Sequence, residues 1–197
     1  MTTVEGLTVA RSELILGGQK SGKSRLAESL AEAWLAQAPT QRAVLIATAQ
    51  AHDAEMRARI ARHQRERAER VPGLATLEPG PELAATIDAA GGVETLRIVD
   101  CLTLWLTQQL MPVDPDARPP ADPAQATAGL LQAIARCPGP IVLVGNEIGL
   151  GVVPRGRELR QAGDALGLLN QSVAAACARV TLMVAGLPLT LKEVAAA

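Results

Sequence analysis

The sequence is nearly without aromatic residues. It has two Trp and no Phe or Tyr. The core must therefore be built from Leu, Val, Ile and Ala, and few rings exist on which a base or a flat cofactor could stack. Lysine is scarce too: Lys20, Lys23 and Lys192 are the only three. The net charge is -1, so no basic field is available to hold a nucleic acid. No apolar run approaches the ~20 residues that span a bilayer. The polar N-terminus lacks the positive segment and apolar stretch of a signal peptide. The three cysteines, Cys101, Cys137 and Cys177, have neither metal-ligand spacing nor even pairing. They read as buried thiols in a reducing cytoplasm.

What is present fits one globular domain. The chain has 197 residues, 48% of them hydrophobic and 20% charged, enough to bury a core. Residues 1–12 read as a flexible extension. Short apolar runs follow at Glu13–Leu16, Ala43–Ala47, Leu96–Val99, Ile141–Val144 and Val180–Val184. Most are β-branched, as buried parallel strands are. Helical patterns lie between them, near 22–37, 53–69, 81–90, 101–110, 123–136 and 156–178. This alternation predicts a doubly wound α/β fold, a mostly parallel sheet with helices on both faces. Met111 to Pro123 holds five prolines in thirteen residues, which neither helix nor ladder accepts; it reads as a surface loop. Val71 to Pro81 reads as a second Gly/Pro-rich link.

The segment Gly17-Gly18-Gln19-Lys20-Ser21-Gly22-Lys23-Ser24 fits the phosphate-binding P-loop pattern, with a strand leading in and an amphipathic helix leading out. The glycines let backbone N–H groups turn toward phosphate oxygens, and the helix N-terminus adds partial positive charge. Lys23 would reach the β- and γ-phosphates. The Ser24 hydroxyl would ligate Mg²⁺, and the ion needs a second contact from an acid ending a neighbouring strand. Asp100, at the end of LRIVD, can supply it, or can cap the next helix.

The segment His52 to Arg67 is rich in arginine. Asp53 can cap its helix. Met56, Ile60 and His63 share one face at helical spacing, among Arg59, Arg62, Arg65 and Arg67. Two readings of His63 stay open: it completes an apolar stripe beside a solvated arginine face, or it is a nucleophile toward phosphorus whose charge the arginines offset. His52 reads as an exposed loop residue.

Taken together, GGQKSGKSRLAESL, ATAQAHDAEMRARIARHQRER, VDCLTLWLT, VGNEIGLGVVPRGRELRQAGDALGLLNQ and VTLMVAGLPLTLK resemble the bifunctional adenosylcobinamide kinase / adenosylcobinamide-phosphate guanylyltransferase family of cobalamin biosynthesis. The likeness runs from Glu13 to Lys192. It implies a P-loop enzyme assembled as a homotrimer. Such an enzyme phosphorylates adenosylcobinamide with ATP or GTP and Mg²⁺, then moves GMP from GTP onto that phosphate through a guanylylated histidine. The matching histidine is His63. The implied nucleotide contacts are the P-loop, Ala47, Thr48 and Ala49, then Gln64, Arg65, Glu66 and Arg67, with Glu78 and Asp100. Two places depart from the family pattern: Leu74 stands where a Trp is common before Thr76 and Glu78, and Ala162-Gly163 precede Asp164 where Phe-Arg is usual. A plain small-molecule kinase and a GTP-dependent switch protein are the alternatives. The guanine signature of switches is missing, since Glu147 follows Asn146.

Overall fold

A computed structural model describes residues 7–49, 54–79, 82–112, 122–151 and 156–194. Four parallel strands with continuous apolar runs form the centre of the sheet: β1 (Ser12–Gly17), β2 (Arg42–Ala47), β4 (Thr95–Asp100) and β5 (Ile141–Val144). β3 (Leu74–Leu77) and β6 (Arg179–Val184) flank them, and β7 (Leu187–Glu193) closes one edge. The order is β3-β2-β4-β5-β1-β6-β7, parallel except for the β6–β7 hairpin. The helices are α1 (Lys23–Leu35), α2 (Ala54–Arg70), α3 (Leu83–Ala89), α4 (Leu102–Leu110), α5 (Pro123–Arg136) and α6 (Arg157–Ala176).

The pleat of the strands sorts the core into two layers, because successive side chains point to opposite faces. Leu14 and Leu16 of β1 face a layer that includes Leu83, Leu102, Trp105, Leu130, Leu166 and Val173 from α3 to α6. Ile15 faces the other layer, with Ala27, Leu30 and Ala31 of α1. The expected doubly wound α/β architecture is therefore found. Among the described residues no helix is long and apolar enough to cross a membrane.

Three expectations need revision. The segment before β1 is tied down from Leu7 onward. Leu7 and Val9 pack against the core, Arg11 donates to the carbonyls of Gly139 and Cys137, and Ser12 already belongs to β1. The link between α2 and α3 contains β3, which pairs with β2 from Ala43↔Leu74 to Ile46↔Leu77. β7 was not expected as a strand. Pro188 disguises its alternation, and proline is tolerated there because β7 is an edge. In the proline-rich loop, Pro123 is the first residue of α5, with Asp122 capping the Ala124 N–H at 3.2 Å; 113–121 lie outside the described residues.

One arginine is wholly enclosed. Arg97 of β4 is 0% exposed. Its guanidinium donates to Ile87 at 3.0 Å, to Gly92 at 3.3 Å, to Thr95 at 3.0 Å and to Gly91, all main-chain carbonyls. Ile87 lies in the last turn of α3, whose dipole presents negative charge there.

Candidate active site

β1 ends at Gly17 and turns into the P-loop. At Gly17 (φ 152°) an added Cβ would fall 2.5 Å from the Met183 carbonyl oxygen and 2.6 Å from Ser21 Oγ. Only glycine lets this strand end pass so close to β6. Gly22 (φ 102°) turns the chain into α1, and Gly186 of the β6–β7 turn donates to Ser21 O at 3.0 Å. The Lys23 ammonium donates to Gly18 O at 2.6 Å, closing the loop on itself. Burial lowers the Lys23 pKa, while Asp100 and Cys101 oppose that shift.

Asp100 lies opposite. Its Oδ2 accepts from Ser24 Oγ at 2.8 Å. Burial pushes its pKa up, against the Ser24 hydrogen bond and the charges of Arg67, Lys23 and His63. The acid was expected on a strand next to β1; β5 in fact lies between β1 and β4. Asp100 is not a helix cap either, since Cys101 holds that position in α4. Its carboxylate is turned to Ser24 instead. Among the described residues there is no cluster of three or more His, Cys, Asp or Glu that could hold a metal. A hydroxyl and one carboxylate beside a phosphate cradle fit magnesium, which keeps waters and binds through few protein groups plus substrate phosphates.

The other candidate residues also gather at the C-terminal ends of the strands, where open α/β sheets bind ligands. Ala47 ends β2, with Thr48 and Ala49 after it; exposed Glu78 follows β3. The polar groups of Thr48 are already engaged. Its N–H donates to Asp100 O at 3.0 Å and its hydroxyl bonds both Cys101 O and Cys101 N at 2.7 Å. Its carbonyl accepts from Gln108 at 2.9 Å. Thr48 can thus offer a nucleotide van der Waals contact but no free hydroxyl, and it fixes the turn after Asp100.

α2 carries His63, Gln64, Arg65, Glu66 and Arg67. The His63 side chain is 49% exposed, with Nδ1 3.9 Å from Glu66 Oε2. His63 and Arg67 share a helix face at i, i+4, and Arg67 Nε stands 3.6 Å from Glu28 Oε1 of α1. That ion pair ties α2 to the helix that follows the P-loop. His52 and Asp53 lie outside the described residues, as do the side chains of Met56 and Arg59.

The sequence reading missed several supports. The Asn146 N–H donates to Thr103 Oγ1 at 2.8 Å, Asn170 Nδ2 donates to Asn146 O at 3.1 Å, and Glu147 N–H reaches Gly17 O at 3.1 Å. These contacts seat the end of β5 against the P-loop. Asn146, Thr103 and Asn170 lie in stretches that carry the resemblance, but their mutual contacts were not legible, and Gln108 gave no signal, because they act across elements. The small hollows lined by Thr40, Arg42 and Glu94, and by Val9, Trp34 and Pro140, lie near the N-terminal ends of strands, away from this site.

Residues 13–191 match the model of one protein family, described as cobinamide kinase / cobinamide phosphate guanyltransferase. The chain belongs to this family. The match spans the P-loop, α2 and the strands of the sheet. Its relatives include the bifunctional adenosylcobalamin biosynthesis protein CobP of Pseudomonas aeruginosa, 48% identical over 181 residues, covering 91% of this chain and 96% of that protein. The corresponding CobU proteins of Escherichia coli and Salmonella typhimurium are each 35% identical over 187 residues, covering 91% of this chain and 98% of theirs.

Proposed function

We propose that this chain phosphorylates adenosylcobinamide with ATP or GTP, then transfers GMP from GTP to the product, giving adenosylcobinamide-GDP. The observation that carries the reading is the P-loop itself, with Lys23 donating to Gly18 O at 2.6 Å and Ser24 to Asp100 Oδ2 at 2.8 Å, beside an α2 that bears His63 and is tied to α1 through Arg67 and Arg70 on Glu28.

In the first reaction the loop amides and α1 hold the triphosphate. Lys23 exchanges Gly18 O for phosphate oxygens and offsets charge on the moving γ-phosphoryl group. The corrinoid hydroxyl attacks the γ-phosphorus directly: the new O–P bond forms as the bond to the β–γ bridging oxygen breaks, the nucleoside diphosphate leaves and the hydroxyl proton passes to solvent, so no covalent enzyme intermediate is needed. Ser24 and Asp100 would hold the magnesium ion, which when bound neutralises phosphate charge.

In the second reaction a neutral ring nitrogen of His63 attacks the α-phosphorus of GTP. A P–N bond forms, the bond to the bridging oxygen breaks, and pyrophosphate leaves. A phosphate oxygen of the corrinoid product then attacks the same phosphorus, the P–N bond breaks, and the imidazole is released. Two displacements replace one difficult step. Arg65 and Arg67 offset the charge of the attacked polyphosphate.

The test is GTP labelled in its α-phosphate. Wild type takes up acid-labile, base-stable label, and His63→Ala takes up none while still phosphorylating cobinamide. The side chain is half exposed, so its truncation changes stability by only about 0.5 kcal/mol. A labelled His63→Ala protein removes His63 from the mechanism. Unlabelled wild type leaves a plain kinase.

The family resemblance also supports a trimer. Leu187, Leu189 and Leu191 form an exposed apolar row on β7, 71%, 55% and 56% exposed, a surface suited to burial between subunits. A monomer in sedimentation at micromolar concentration contradicts this. The three unpaired buried thiols support a cytoplasmic location.

A further inference from the structure

Among the described residues of α2, none belongs to either apolar core layer; the first core residue after it is Val71. Ion pairs tie α2 to α1. Glu28, in the second turn of α1, is 4% exposed. Its Oε1 accepts from Arg70 Nη2 at 3.1 Å, and that nitrogen lies 2.9 Å from Oε2. Arg67 Nε stands 3.6 Å from Oε1. Among the described residues Arg67 Nε has no hydrogen-bond acceptor.

The spacing gives this pairing a meaning. His63, Arg67 and Arg70 follow i, i+4, i+7 and lie on one face of α2. Whatever holds the two arginines therefore sets the rotation of the helix about its axis, and with it the bearing of His63. A buried carboxylate is a costly way to hold a helix, since apolar packing of the same volume is often at least as stable. A charge pair, unlike apolar packing, fixes one register.

We infer that Glu28 is a positioning residue for guanylyl transfer: through Arg67 and Arg70 it orients α2 so that the His63 nitrogen faces the α-phosphorus of the bound nucleotide. This rests on the reading of His63 as the nucleophile. Glu28 touches neither substrate nor phosphate. It acts through α2, so phosphorylation, which uses the P-loop and Asp100, does not depend on it.

The experiment compares Glu28→Gln, Arg70→Met, the double variant and His63→Ala in both reactions, with melting curves for each. A displacement of about 1 Å costs on the order of 10²-fold in rate. Glu28→Gln should therefore slow labelling of His63 by about that factor at saturating GTP, while cobinamide phosphorylation keeps its turnover. Arg70→Met should lose labelling in the same way. The double variant should be no slower than the worse single one, because both remove the same contact. A pair that only stabilised the fold would lower the melting temperature and leave the ratio of the two rates unchanged; that result overturns the inference. So does additive loss in the double variant. If Glu28→Gln does not fold, Arg70→Met, which keeps Glu28 beside Arg67, decides alone. His63→Ala separates the two levels of the argument. Label retained there defeats the nucleophile itself; label lost there but kept in Glu28→Gln and Arg70→Met defeats only the role of Glu28.

Discussion

Replacing Arg97 by Met should unsettle the fold while leaving the chemistry in place. Met keeps most of the unbranched length and removes the guanidinium. Four carbonyls, of Ile87, Gly91, Gly92 and Thr95, then lose a charged donor. A hydrogen bond to a charged group is worth about 1.5–3 kcal/mol net. Part of that sum is offset because a fully buried cation no longer has to leave water. Two of the carbonyls also keep a turn hydrogen bond, Ile87 O from Ala90 N at 3.4 Å and Gly92 O from Thr95 N at 3.3 Å. The net loss should be about 4 kcal/mol, within the range for breaking a buried polar network. In a chain of this size each kcal/mol lowers Tm by roughly 2–4 °C, so the expected fall is about 8–16 °C. Urea unfolding should show a lower midpoint with an unchanged slope. Well below its melting point the variant should still phosphorylate cobinamide, since Arg97 turns its side chain to α3 and the turn before β4. A melting temperature within about 2 °C of wild type would show that the carbonyls do not depend on the guanidinium, and the reasoning would fail.

Lys23→Ala should lower phosphorylation by ~10²-fold or more, as loss of a strong electrostatic contact to the transition state does; steady-state kinetics showing near wild-type turnover would remove Lys23 from its role. The Cys177 thiol is pushed up to about 12 by burial, from an ordinary 9.0. A thiol whose folded pKa is raised contributes stability fully below pH 9 and loses it as pH climbs toward 12. Because Cys101, Cys137 and Cys177 are all buried, native protein at pH 8 should leave them unmodified by a thiol reagent until it unfolds, and rapid labelling of the folded protein would contradict their burial. Gly17→Ala should disable nucleotide binding, because its Cβ meets Met183 O at 2.5 Å; isothermal titration giving unchanged GTP affinity would show that the loop can shift.

The sequence made the central sheet legible because buried parallel strands are unbroken apolar runs, and Ile141–Val144 and Leu96–Val99 could hardly be anything else. β3 escaped notice since Leu74–Leu77 is short, mostly exposed and preceded by Pro72-Gly73. β7 escaped because its apolar residues face outward beside Pro188. The P-loop was legible through local backbone chemistry that a fixed spacing records. The strand ending at Asp100 was legible, but not the strand that separates it from β1, because strand order is a property of pairing and not of sequence. Glu28 carried no signal at all. Its meaning comes from two arginines on another helix, and a lone acid in the AESL turn of α1 looks like any helix residue. The readings of His63, Gln64 and Glu78 rest on resemblance; the geometry adds the shared face of His63 and Arg67.

The place of β1 has a consequence for how the protein is made. It precedes the other described strands of the sheet, yet its neighbours are β5 and β6, with Glu13 paired to Val142 on one side and Arg179 on the other. The P-loop that follows is braced by Met183 and Gly186. The phosphate cradle thus begins with β1 and is completed by β6 and the β6–β7 turn. A nascent chain cannot close it until those late elements have emerged. Such long-range pairing slows folding and leaves β1 with both edges unpaired and its apolar side chains uncovered while synthesis continues, a period in which chaperones would have most to protect.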